Sequence, residues 1–146
     1  MPMSKNIELL EIFTDGGSRG NPGQAGIGVV ALDGPHQVFT LSERIGITTN
    51  NVAEYTAVLR ALETLEDKKI FTEKIRFVLD SELIVKQITG VYKVKQPHLQ
   101  VLRKQIVDLI KKLRDKDQIK LMSFVNVLRD KNKEADKLVN AALDNQ

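Results

Sequence analysis

Cysteine is absent from this chain, histidine occurs only at His36 and His98, and no apolar run is long enough to cross a bilayer. Without thiols, and with two widely separated imidazoles, a zinc centre of the usual nitrogen or sulfur type is poorly supported, and both histidines read as surface residues. The N-terminus MPMSKNIELLE lacks the apolar core of a signal peptide, so a cytoplasmic setting is expected, with which the lack of cysteine agrees. Internal repeats, low-complexity segments and linkers are missing too. The length of 146 residues therefore reads as one domain over residues 1–146, large enough for a real core. An apolar fraction of 42% and a charged fraction of 28% suit a soluble globular protein.

What is present is a regular alternation of elements. Ile7 to Thr14 is rich in apolar residues, as in a central strand covered on both faces. Gly26 to Leu32 and Gln37 to Arg44 read as two more strands around a turn at Asp33-Gly34-Pro35, and the short connections imply an antiparallel meander. Val52, Tyr55, Val58, Leu59, Leu62 and Leu65 recur at helical spacing from Asn51 to about Glu66. Ile75 to Leu79 is a short buried strand. Leu83, Ile84, Ile88 and Val91 then suggest a helix that Gly90 ends, and Pro97 opens another with the stripe Leu99, Leu102, Ile106, Leu109, Ile110, Leu113. Lys104, Lys111, Lys112 and Arg114, near its opposite side, read mainly as a solvated face. Ile119 to Val127 forms the fifth strand and Lys133 to Leu143 the last helix, with Ala135, Leu138, Val139 and Ala142 inward. The order βββαβααβα predicts an α/β fold with a mixed sheet whose later strands are reached by helical crossovers.

Four carboxylates fall where ligand-binding groups of an open α/β sheet are exposed: Asp15, Glu54, Asp80 and Asp136. Each alone has a local structural explanation. Asp15 before Gly16-Gly17 fits a turn, Glu54 fits a capping box with Asn51 as N-cap, Asp80 fits the N-cap of the helix after it, and Asp136 suits a helix dipole. Brought together, the four would repel one another unless a cation neutralised them. An all-oxygen donor set suits magnesium. Net charge is +3; neutralising four of the 19 acids would leave 22 basic residues facing fifteen acids, or +7, a balance that suits a polyanion.

Around these carboxylates the segments TDGGSRGNPGQAGIGVV, TTNNVAEYTAVLRALE, VLDSELIVKQITGVYKVK and NKEADKLVNAALD resemble, in order, the four signature blocks of the type 1 ribonuclease H family. The overall look is similar to its shorter archaeal and bacterial members. The resemblance implies a ribonuclease H-like fold, with a five-stranded mixed sheet in the order 3-2-1-4-5 flanked by helices. It also implies a metal-dependent endoribonuclease that cuts the RNA strand of RNA–DNA hybrids by a two-metal-ion mechanism, leaving 5′-phosphate and 3′-hydroxyl ends. Asp15, Glu54, Asp80 and Asp136 would hold two Mg2+ ions with substrate bound, with Mn2+ as a possible replacement. Gly16, Gly17, Ser18, Arg19, Asn21, Thr49, Asn50, Asn51, Ser81 and Glu82 would bind the hybrid, Thr49 at a phosphate of the DNA strand. A monomer is expected, with no membrane partner and no separate hybrid-binding domain ahead of it.

Three departures from the family pattern stand out. Glu82 replaces the commoner glutamine, setting an anion near the duplex. The loop Val127-Leu128-Arg129-Asp130-Lys131 has no histidine; Arg129 or Lys131 could supply charge for product release but neither shuttles a proton near neutral pH. The segment after Val91 is too short for a basic protrusion, of which Lys93 and Lys95 are either a remainder or plain surface lysines. The alternative of another class is a non-catalytic nucleic-acid-binding module on the same fold; a nearer one is a related metal nuclease of the same superfamily acting on duplex RNA or other nucleic acids.

Overall fold

The computed structural model describes residues 6–145. Its strands are β1 (Ile7–Arg19), β2 (Gly23–Asp33), β3 (His36–Thr48), β4 (Thr72–Leu79) and β5 (Ile119–Asn126). Its α-helices are α1 (Asn50–Asp67), α2 (Glu82–Ile88), α3 (Pro97–Asp115) and α4 (Lys133–Asp144), the last preceded by a 3-10 turn, Arg129–Lys131. The sheet order is β3-β2-β1-β4-β5; β1, β2 and β3 pair antiparallel, and β4 runs parallel to both β1 and β5. This is the mixed α/β sheet expected from the element order.

The first three strands are longer than apolar patterning indicates. β1 continues five residues past Thr14, because Gly16 to Arg19 stay paired with β2 down to Arg19↔Gln24. Residues 16–19 are therefore strand, and the turn is confined to the segment around Gly20. Backbone pairing holds this stretch where side-chain periodicity gives no strand signal. The second helix also differs in its inward face. Leu83 and Val91 are 44% and 67% exposed, while Ile84, Val85 and Ile88 are buried. Seven residues make under two turns, so a stripe extended to Val91 lies beyond the helix itself.

Two glycines set how closely the helices approach the sheet. A Cβ on Gly16 would lie 2.4 Å from the backbone of Ala53, in α1; one on Gly28 would lie 2.1 Å from the carbonyl oxygen of Ala135, in α4. Gly28 is the cross-strand partner of Asp15, and residues directly opposite share a face, whereas Gly16, adjacent to Asp15, points the other way. Hence α1 and α4 cover opposite faces of the sheet at the same level of β1. Under α1 lie Leu10 and Ile12 of β1, Ile75 and Phe77 of β4 and Ile119 of β5, all essentially inaccessible, and α3 closes over α1 with Leu99, Ile106 and Leu113. Phe77 stacks on Phe124 at 4.9 Å, joining β4 to β5.

The glycine contacts yield a stability test. Gly28→Ala drives a methyl group into a backbone carbonyl and should lower unfolding free energy by about 1–3 kcal/mol, the usual range for overpacking. Gly17→Ala meets only ordinary contacts at 3.8 Å or more and should be neutral or slightly stabilising. Urea denaturation of both variants checks the contrast; equal losses would show that α4 yields freely at Gly28.

Candidate metal centre

β1 pairs with β4 up to Phe13↔Val78, so Asp15 and Asp80 each stand two residues beyond the last pair, side by side at one end of the two central strands. Glu54 enters from the start of α1, brought close by the backbone contact at Gly16. Ligand oxygens of Asp15, Glu54 and Asp80 lie within 4.8 Å of one another. Asp136, from the first turn of α4, lines the same cleft of about 420 Å³ and acts electrostatically on Asp15. All four predicted carboxylates are thus brought together, three as a tight group and Asp136 beside them.

Their capping roles fall to neighbouring hydroxyls. α1 is capped by Thr49, whose side chain accepts from the Val52 amide at 3.2 Å, so Asn51 lies inside the helix and is not the N-cap. α2 is capped by Ser81, which accepts from the Ile84 amide at 3.3 Å, so Asp80 does not cap it. Asp15 lies within β1 and is not a turn residue. At both helices a neighbouring hydroxyl supplies the capping bond, leaving Glu54 and Asp80 available to the cleft. Asp136 keeps its position in the first turn of α4, where the helix dipole favours negative charge.

The electrostatics are those of a site built for a cation. The Asp15 carboxyl is pushed up to about 8, first by burial and then by repulsion from Asp80, Glu54 and Asp136, against a lowering bond from the Gly16 amide. Glu54 is pushed up to about 7 by burial and Asp80, opposed by a hydrogen bond from Ser81 and by the charge of Arg129. Ser81 thus serves two carriers of the site, capping α2 and donating to Glu54. The donor set is entirely carboxylate oxygen, which fits a hard divalent cation.

Asn132 anchors α4. Its side chain is 1% exposed and donates to the carbonyl of Thr14 at 2.9 Å, fixing the start of the helix next to Asp15. Asn50 links the end of β1 to α1. Its Oδ1 accepts from the Ser18 amide at 2.8 Å and the Ser18 hydroxyl at 3.1 Å, while its own amide donates to Asn21 Oδ1 at 3.0 Å. Arg19 reaches α4, donating to Asn140 and pairing with Asp144 at 2.7 Å.

Of the predicted substrate residues, Gly16, Gly17, Ser18, Arg19, Asn50 and Ser81 line the cleft, as does Arg129. Asn21, Thr49, Asn51 and Glu82 lie outside its lining. Lys131 does not join Arg129; it borders a separate cavity with Phe13 and Leu32. Glu82 is exposed and ion-paired with Lys86 at 2.8 Å. Val139, expected only to face inward, lines the cleft, as does Asn140, which the sequence reading does not name; both lie within one helical turn of Asp136.

The raised carboxyls give a pH dependence of definite sign. Without divalent cations, Asp15 and Glu54 hold protons more tightly folded than at their ordinary values of 3.8 and 4.5, so their contribution to stability is full below about pH 4. It is lost as pH rises through about 7 and 8. In EDTA, the parent protein should lose stability between pH 5 and 8.5, and Asp15→Asn should lose clearly less. Urea melts across that range decide it; parallel profiles for the two proteins would contradict the coupling.

A family model described as RNase H matches residues 8–144. The bifunctional protein Rv2228c of Mycobacterium tuberculosis is 37% identical over 91% of this chain, which spans 35% of that protein. Ribonuclease HI of Halobacterium salinarum is 37% identical over 90% of it, and here the chain spans 63% of the relative. Among solved structures, LC11-RNase H1 in complex with an RNA/DNA hybrid superposes with a TM-score of 0.84 at 45% identity, covering 92% of this chain and 96% of that one. Sequence blocks, sheet order and the gathered carboxylates all agree with these likenesses, and the chain belongs to the ribonuclease H family.

Proposed function

We propose that this chain is a metal-dependent endoribonuclease that hydrolyses the RNA strand of RNA–DNA hybrids, leaving 5′-phosphate and 3′-hydroxyl ends. The observation that carries this reading is the convergence of Asp15, Glu54, Asp80 and Asp136 on one cleft, with two of them driven to carboxyl values of about 7 and 8. A non-catalytic module would have no use for so costly a cluster. The relative solved with a hybrid supports the substrate class.

Asp15 would be shared between two Mg2+ ions, or Mn2+ in their place, with Glu54 and Asp80 serving one and Asp136 the other. Such ions, when bound, activate water and stabilise charge on the attacking and leaving oxygens. The chain's own contribution is position. Ser81 holds Glu54 by its hydroxyl, and Arg129 favours its ionised form without being able to carry a proton itself. Asn50 has its Oδ1 occupied by Ser18, which leaves its NH2 group to donate to a 2′-hydroxyl, the group that tells RNA from DNA. The Thr49 oxygen accepts from Val52, so its proton remains free to donate to a DNA-strand phosphate.

Asp80→Asn is the decisive variant, because Ser81 and not Asp80 caps α2 and the fold should survive. Cleavage of a matched hybrid in magnesium should fall by several orders of magnitude, while melting without magnesium is unchanged or raised. The parent should gain stability with magnesium and the variant less. Run beside duplex RNA and duplex DNA, the parent should cut only the RNA of the hybrid; equal cutting of duplex DNA, or near-parental cleavage by the variant, would overturn the proposal.

A second outcome concerns Glu82. Glu82→Gln removes an anion beside the cleft and also releases Lys86 from its ion pair. Hybrid binding should tighten severalfold at low salt and converge on the parent as salt rises. An unchanged Michaelis constant at low salt would show that Glu82 points away from the duplex.

A further inference from the structure

The outer edge of the sheet at β5 has features the ribonuclease reading does not use. β5 is an edge strand, and no further strand pairs with it among the described residues. An unpaired edge presents a row of backbone donors and acceptors to any extended chain. Native edges are usually blunted, and here Lys120 is exposed but tied to Glu73 at 3.1 Å, while its neighbour Leu121 is 64% exposed.

Beside that edge runs a groove of about 530 Å³ between α3 and β5, floored by Ile88, Val107, Ile110, Met122 and Phe124. Phe124 is fixed by its stack on Phe77, so the floor is preformed. α3 presents Val107, Ile110, Lys111, Arg114 and Asp115 to the groove, which are spaced as one stripe of a helix. The charges on α3 divide into two groups. Lys104 pairs with Asp108, and Lys112 and Lys116 both pair with Glu66. Arg103 donates to the carbonyls of Gln87 and Ile88. Lys111 and Arg114, the two that border the groove, have no ion-pair partner among the described residues, and Asp115 is the one acid beside them.

We infer that β5 and this groove form a docking surface for an extended acidic peptide segment of a partner protein, in which apolar side chains and carboxylates share the face turned toward α3. The segment would add a strand to the outer edge of β5, and of the side chains on its α3-facing side the apolar ones would enter the groove while the carboxylates meet Lys111 and Arg114. Strand addition gives affinity through main-chain hydrogen bonds and specificity through pockets for alternate side chains, which is what this edge and groove supply together. A nucleic acid fits less well, because the floor is aliphatic and aromatic and only two cations border it. A free β5 edge also invites a second copy of the chain, but two identical grooves would bring Lys111 and Arg114 toward the same charges.

The probe is a fluorescein-labelled, acetylated octapeptide with Leu, Asp, Phe and Asp at every second position and Ser at the others, so that apolar and acidic groups share one face, titrated against the full chain and read by anisotropy. Binding should weaken at least tenfold when its Asp residues are replaced by Lys, and equally for Lys111→Glu/Arg114→Glu. Hydrogen exchange should show new protection of β5 amides with the acidic peptide. Hybrid cleavage by the double variant should stay at the parental rate, which also shows that the variant is folded. Equal affinity for the lysine peptide, or no new protection on β5, would overturn the inference. So would loss of hybrid binding in the double variant, marking a nucleic-acid surface, or a concentration-dependent dimer that the peptide fails to dissociate, marking a self-association face.

Discussion

Oxygens of Asp15, Glu54 and Asp80 stay within 4.8 Å of one another although each repels the others, so something outside the cleft must hold their elements in place. That restraint comes from close packing across β1. With no side chain at Gly16, α1 descends onto the strand and delivers Glu54; with none at Gly28, α4 does the same on the opposite face and delivers Asp136. Burial by these helices then amplifies the repulsion by removing water. The same contacts that build the core therefore raise the carboxyls of Asp15 and Glu54 to about 8 and 7. Core and cleft are one arrangement, in which the stability of the first sustains the strain of the second.

The carboxylates were legible because each sits within a distinctive local pattern, and the four patterns recur in a fixed order. The strand order followed from element order together with family likeness. Other features were hidden for physical reasons. Residues 16–19 pair in a sheet through their backbone, yet glycine and serine carry no apolar alternation to announce it. Thr49 and Asn51 are both good caps on chemistry alone, and only geometry shows that the threonine takes the bond. Gly28 looked like one small residue in an apolar strand; its necessity comes from a helix more than 100 residues later. Leu83 and Val91 matched a helical stripe, but α2 is too short to present it. Lys131 and Arg129 are two positions apart in a 3-10 turn, which sends them into different cavities.

Several side chains in and around the cleft serve the fold and the site together. Asn50 ties the end of β1 to α1, Ser81 caps α2 while donating to Glu54, and Thr49 starts α1. Loss of function on replacing any of them would mix a structural deficit with a chemical one. Asp80 is cleaner, since its neighbour carries the cap. Arg19 is a mixed case, lining the cleft while being held by Asp144 and Asn140 of α4.

The bond from Asn132 to the Thr14 carbonyl spans 118 residues, and it fastens the helix bearing Asp136 to the strand bearing Asp15. A chain emerging from the ribosome can pair β1 with β2 and β2 with β3 early, and β1 with β4 soon after, giving a sheet with three carboxylates at one end. It has no fourth until α4 has been made and docked, and until then Gly28 faces water. The nascent protein is thus barred from assembling its whole acidic cluster before nearly all of its sequence exists.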